Sequence, residues 1–154
     1  MVPSSAGIDV LVPVTVGVAT TIVTIFIHGL ALTSVIHYVR HERRLGRAGV
    51  HFFRDVTIVA SAVVLALAAH LIEIAAWAAV FELCGEFRNF AAAFYSSAEN
   101  YPTLGYGDVV MSARWRLLGP LEAADGMLMF GVTTAMIFAI IQRLVQTRLG
   151  DPGA

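Results

Sequence analysis

The sequence contains no lysine: its ten basic residues are all arginine. Charge of either sign is scarce, 14% of the 154 residues, against about 25% in an ordinary soluble domain. Hydrophobic residues reach 58% and mean hydropathy is +0.77. So little charge cannot cover a water-facing surface, so the apolar excess must lie in lipid, which leaves no place for a soluble cytosolic enzyme. A net charge of -1 excludes the basic footprint of a nucleic-acid binder. A single cysteine, Cys84, excludes an internal disulfide. There is no internal repeat, and the length suits one compact unit.

What is present is three long apolar runs. Val10 to Ile36 carries no charge and only His28 as an ionisable interruption. At about 1.5 Å per residue it exceeds the roughly 30 Å hydrocarbon core. Residues 1–8 hold no basic residue, so a retained helix is expected rather than a cleaved signal. The second run, Val56 to Phe81, contains His70 and Glu73; the third, from about Leu121 to Val145, opens with Glu122 and Asp125. The stretch from Phe90 to Tyr106 is too short and polar to cross alone, and a re-entrant segment fits it.

Arginines orient the chain. Arg40, Arg43, Arg44, Arg47 and Arg54 follow the first run, and Arg143 and Arg148 follow the third. Both ends are expected on the cytoplasmic side, with the N-terminus and the loop between runs two and three outside. Span one lacks a row of arginines, so it is not a voltage sensor.

The outer loop contains Thr103-Leu104-Gly105-Tyr106-Gly107-Asp108. This resembles the T-V-G-Y-G-D selectivity filter of the potassium channel family, differing only by leucine for valine. Such a filter replaces the water around an ion with backbone carbonyls, and its glycines permit the dihedrals that aim them. The resemblance implies potassium held at Thr103, Leu104, Gly105 and Tyr106, with Gly107 completing the ion-binding strand. It covers about Val56 to Arg148. It places Glu99 where some bacterial members carry a pore-helix glutamate that shares a proton with the filter aspartate, here Asp108. It places Gly126 at the inner-helix hinge, with Gly131 as a second small position. Three features of the cuff depart from the pattern: Pro102 replaces a threonine, Tyr101 replaces a small residue, and Tyr95-Ser96 stand where a tryptophan pair is common. All three touch the cuff around the filter, so Pro102 and Tyr101 join Glu99 and Asp108 as filter-supporting residues. A short helix over Asn89–Glu99 is expected to lead into the filter.

Acids inside a membrane are costly, which makes Glu73, Glu122 and Asp125 candidates for a polar network behind the filter together with His70. Asp125, beside Gly126, is expected to bond near Tyr101 or Asn100 and is a candidate proton sensor. His70 and Glu73 share a helical face that can reach the back of the pore helix. Phe130, Thr133, Thr134 and Ile137 are candidates for the cavity wall, with Phe130, Ile137 and Ile141 as apolar gate residues. His28 and His70 lie on different spans, which admits a bis-histidine haem as an alternative. His37, His41 and His51 accompany the interfacial arginines, where anionic lipid is the expected partner.

The sequence thus predicts an all-α membrane protein with three transmembrane helices, a re-entrant pore helix and a filter loop. Residues 1–55 form an N-terminal helix and basic loop, 56–149 the pore module and 150–154 a tail, with no appended regulatory domain expected. One loop supplies one wall of a pore, so a homotetramer is expected. The reading is a potassium channel of a cytoplasmic membrane, without catalytic residues or cofactor. Its rivals are a weakly selective channel that also passes sodium because of Pro102, a haem protein, and a non-conducting scaffold.

Overall fold

The computed structural model describes residues 10–150, so Asp9 and the tail 151–154 lie outside it. Four helices follow one another: α1 (Leu11–Arg44), α2 (Phe52–Leu83), α3 (Phe90–Asn100) and α4 (Leu118–Leu149). No sheet-paired β-strand occurs among the described residues. α1, α2 and α4 are long and apolar enough to cross a membrane. α3, with 11 residues, is about 16 Å long and is not.

Each long helix outruns its apolar stretch. α1 has 34 residues, about 51 Å, and carries Arg40, Arg43 and Arg44 within it. Apolar content decides what sits in lipid, but capping decides where a helix stops. At the end of α1 the Gly46 amide bonds the Arg43 carbonyl at 2.9 Å and the Arg47 amide bonds the Glu42 carbonyl at 3.1 Å. Gly46 takes φ +64° there. α2 ends the same way, with Gly85 at φ +77° and amide bonds from Gly85 to Glu82 and from Glu86 to Phe81. Both are glycine-dependent Schellman stops. Pro13 and Pro120 each occupy the third position of their helix, where a missing amide proton costs nothing.

The chain packs as two compact units that cut across the chain-order division at residue 55. Among the described residues, one draws on 10–25 and 72–128, the other on 26–71 and 129–150. The second has an apolar core of Val35, Ala48, Ile58, Ala62, Ile140 and Leu144, with Tyr38, Val39, Val59 and Met136 against it. Its polar edge is tied by Arg54 to Glu42 at 2.6 Å and by Arg148 to Asp55, whose other oxygen accepts the Gly49 amide at 2.7 Å. The first unit holds the loop after α3 and is described next.

Candidate functional site

α3 begins where its sequence says it should. Asn89 is extended, and its side chain accepts the Ala92 amide at 2.9 Å, satisfying an otherwise orphaned donor of the first turn. At the other end the Tyr101 amide bonds the Ser97 carbonyl at 2.9 Å. The chain then turns back on the helix end. The Thr103 amide reaches the Asn100 carbonyl at 2.8 Å, and the amides of Leu104 and Gly105 both reach the Glu99 carbonyl, at 2.9 and 3.2 Å.

From there the backbone alternates in hand. Thr103 has φ +65°, Gly105 +52° and Gly107 +76°, while Leu104 and Tyr106 between them stay on the negative side. In an ordinary strand successive peptide groups face opposite ways. Alternating left- and right-handed residues turn successive peptide groups the same way, amides to one side and carbonyls to the other. Positive φ in a β-branched residue such as Thr103 is a true outlier, of the kind that gathers at functional sites at about 1–3 kcal/mol each. The amide side is tied to α3 over Thr103–Gly105. Among the described residues no hydrogen bond ends on a carbonyl of Thr103 to Gly107. All five residues are exposed.

Behind this strand lie three buried acids. Glu73 is fully buried and accepts the Tyr101 hydroxyl. Glu122, also fully buried, is bonded to the Ser97 hydroxyl, which lies 2.8 Å from the Ile74 carbonyl as well. Asp125 takes the Trp77 indole N–H at 2.9 Å on the same oxygen, Oδ2, that is bonded to the Thr24 hydroxyl at 2.7 Å. Thr24 Oγ1 also lies 2.8 Å from the Thr21 carbonyl.

Proton counting favours the neutral form for two of these acids. A serine or threonine hydroxyl has one proton to give. Ser97 faces two acceptors if Glu122 is ionised, and Thr24 faces two if Asp125 is ionised. Both counts close when the carboxyl group carries its own proton, donates it to the hydroxyl, and lets the hydroxyl serve the backbone carbonyl. A neutral acid also avoids the cost of burying an unpaired charge. Glu122→Gln, whose amide donates as a neutral acid does, is therefore expected to cost about 1 kcal/mol or less in thermal unfolding of the solubilised protein. Glu122→Ala, which leaves a cavity and strips the buried hydroxyl of its partner, is expected to cost about 2–4 kcal/mol. Equal losses in the two variants would mean that Glu122 is ionised.

Among the residues expected to support the filter, Asp108 is exposed and accepts the Tyr95 hydroxyl at 3.2 Å. Glu99 is buried, with Oε1 meeting no hydrogen-bond partner among the described residues. Pro102 is half-buried and Tyr101 fully buried. Beyond the strand, Glu86 accepts the Ser112 amide at 2.7 Å and the Ser112 hydroxyl at 2.6 Å, anchoring the segment that leads to α4.

Gly126 lies inside an uninterrupted α4 and is buried. A Cβ there would stand 2.0 Å from the Tyr101 carbonyl oxygen, so what the structure displays is a close approach of backbones. Gly131 is exposed, and a Cβ there would meet nothing within 4 Å.

Glu73 reaches the end of α3 through Tyr101. Asp125 bonds Trp77 and Thr24. In the other unit, His70 Nε2 lies 3.1 Å from Thr133 Oγ1, which lies 3.3 Å from His28 Nε2. The two rings are 5.3 Å apart and tilted by 39°, and His70 also packs on Phe130 at 4.4 Å. Thr133 is buried, and its hydroxyl lies between the two Nε2 atoms. Phe130 is partly exposed, Ile137 half-buried, and Thr134 and Ile141 exposed.

Thr24, Trp77, Ser97 and the contact of Tyr95 with Asp108 escaped the sequence reading. Hydroxyls spaced along apolar runs were the available signal, but nothing in one sequence pairs them with particular acids. No curated protein and no solved structure matches the chain significantly. Residues 69–143, from the end of α2 through α3 and the segment after it to most of α4, match the family model described as ion channel, a match consistent with the pore module of the potassium channel family.

Proposed function

We propose that the chain is one subunit of a homotetrameric channel that passes potassium down its gradient across a cytoplasmic membrane, with the N-terminus outside and the C-terminus inside. The observation that carries this is the strand Thr103–Gly107: alternating backbone hand, amides tied back to α3, and carbonyls without a hydrogen-bond partner. A row of carbonyls without donors is a ligand for a cation stripped of water. Thr103, Leu104, Gly105 and Tyr106 are the proposed potassium ligands, and four copies of the strand around one axis would complete each cage. Glu99, Tyr101, Pro102 and Asp108 brace the strand. Phe130 and Ile137 are the proposed apolar gate, and Gly126 fixes how closely α4 approaches the filter base.

Purified protein in liposomes is expected to release potassium along its gradient, with block by barium. In bilayers under sodium/potassium bi-ionic conditions the reversal potential is expected to follow potassium. A reversal potential indifferent to the potassium gradient would replace this reading by a weakly selective channel with a filter loosened at Pro102. No flux from verified tetramers would leave the non-conducting scaffold.

A further inference from the structure

The ion channel match begins at residue 69, so α1 lies wholly outside it. Its packing is inverted for a soluble helix. Thr20, Thr24 and His28 are buried, while Ile22, Val23, Phe26 and Leu30 are exposed. In lipid an apolar face gains nothing by turning inward, so small and polar residues hold the helix in place. Gly17 lets α4 come close: a Cβ there would stand 2.5 Å from Leu121 Cδ1. Two turns further on, Thr24 meets Asp125 Oδ2 at 2.7 Å, and the same oxygen accepts Trp77 from α2 at 2.9 Å. One oxygen atom therefore joins α1, α2 and α4. The next residue, Gly126, is where α4 presses on the Tyr101 carbonyl, two residues before the strand begins.

We propose that Thr24 is a positioning residue for conduction, and that α1 is a control helix acting on the filter through Asp125, Gly126 and Tyr101. Thr24 touches no ion. It holds the Asp125 carboxyl, and with it the rotation of α4 at the point where α4 supports the base of the filter. This rests on the channel reading of the same unit.

The test uses full-length protein with Thr24→Val, which keeps the shape and removes the hydroxyl, and Thr24→Ser, which keeps the hydroxyl. Trp77→Phe removes the other hydrogen bond to the same oxygen. Tetramer yield, single-channel open probability, the potassium/sodium permeability ratio and hydrogen exchange of the Thr103–Gly105 amides are measured on each. Thr24→Val is expected to assemble as wild type, to change open probability or permeability ratio about tenfold, and to speed exchange of those amides. Thr24→Ser is expected to restore all three. In the double variant Thr24→Val/Trp77→Phe the effects are expected not to add, since both act on one oxygen. Wild-type gating, selectivity and exchange in Thr24→Val would overturn the proposal. Loss of tetramers in Thr24→Val would make Thr24 purely structural and overturn it too. A wild-type protein that assembles and passes no current would overturn the channel reading first, and the role of α1 in conduction with it.

Discussion

Gly126→Ala is expected to abolish both stable assembly and conduction. The added methyl would sit 2.0 Å from the Tyr101 carbonyl oxygen and 2.9 Å from its carbon, well inside van der Waals contact. Those are backbone atoms at the end of α3 and cannot rotate away. Relief requires α4 or the filter base to move, at or above the roughly 1–3 kcal/mol typical of overpacking. Under the proposed tetramer that cost recurs in every subunit. Gly131→Ala is the control: its methyl meets open space, and replacing a mid-helix glycine is expected to stabilise by about 0.5–1 kcal/mol. Tetramer yield and melting temperature of the two variants check the contrast. If Gly126 served only as a hinge, both variants would assemble and differ in gating alone.

The second large effect is expected at the glycines of the strand. Gly105 and Gly107 hold φ +52° and +76°. An alanine in that region costs roughly 1–2 kcal/mol, and no neighbouring side chain is the cause, since a Cβ at either position meets nothing within 4 Å. The cheapest escape is to flip the residue to negative φ, which would turn a carbonyl out of the common row. Gly105→Ala and Gly107→Ala are therefore expected to assemble normally while losing potassium selectivity or all flux. Flux with sodium and potassium separately, beside tetramer yield, separates this from misfolding. Unchanged selectivity in both variants would mean that the carbonyl row does not coordinate the ion.

Much of the architecture was legible in the sequence, for reasons that differ by element. The three long helices follow from uncharged runs that water cannot accommodate. α3 was expected over Asn89–Glu99 and occurs over Phe90–Asn100 with Asn89 as its cap. The helix ends were less legible: α1 continues eight residues past Ile36, because apolarity stops at the membrane edge while Gly46 supplies the actual stop. In the site, the glycines of the strand were legible because only their φ freedom suits the motif. The positive φ of Thr103 was not, since a β-branched residue gives no hint of it.

Partners inside the membrane were the least legible part. Glu73, Glu122 and Asp125 stand out as costly, but their hydroxyl and indole partners, Tyr101, Ser97, Thr24 and Trp77, are up to 101 positions away. A helix in lipid can expose apolar residues on any face, so periodicity does not reveal which side packs. Composition and patterning were enough by themselves to determine an all-helical chain with three helices long and apolar enough to cross a membrane, and the filter-like motif pointed to an ion channel. Only the tertiary structure decided that Thr24 of α1 meets Asp125 of α4, that Ser97 is the hydroxyl bonded to Glu122, and that Gly126 is a point of backbone contact. Lipid demands apolarity of a helix but not orientation; orientation comes from hydrogen bonds and close approaches that exist only once the helices have packed.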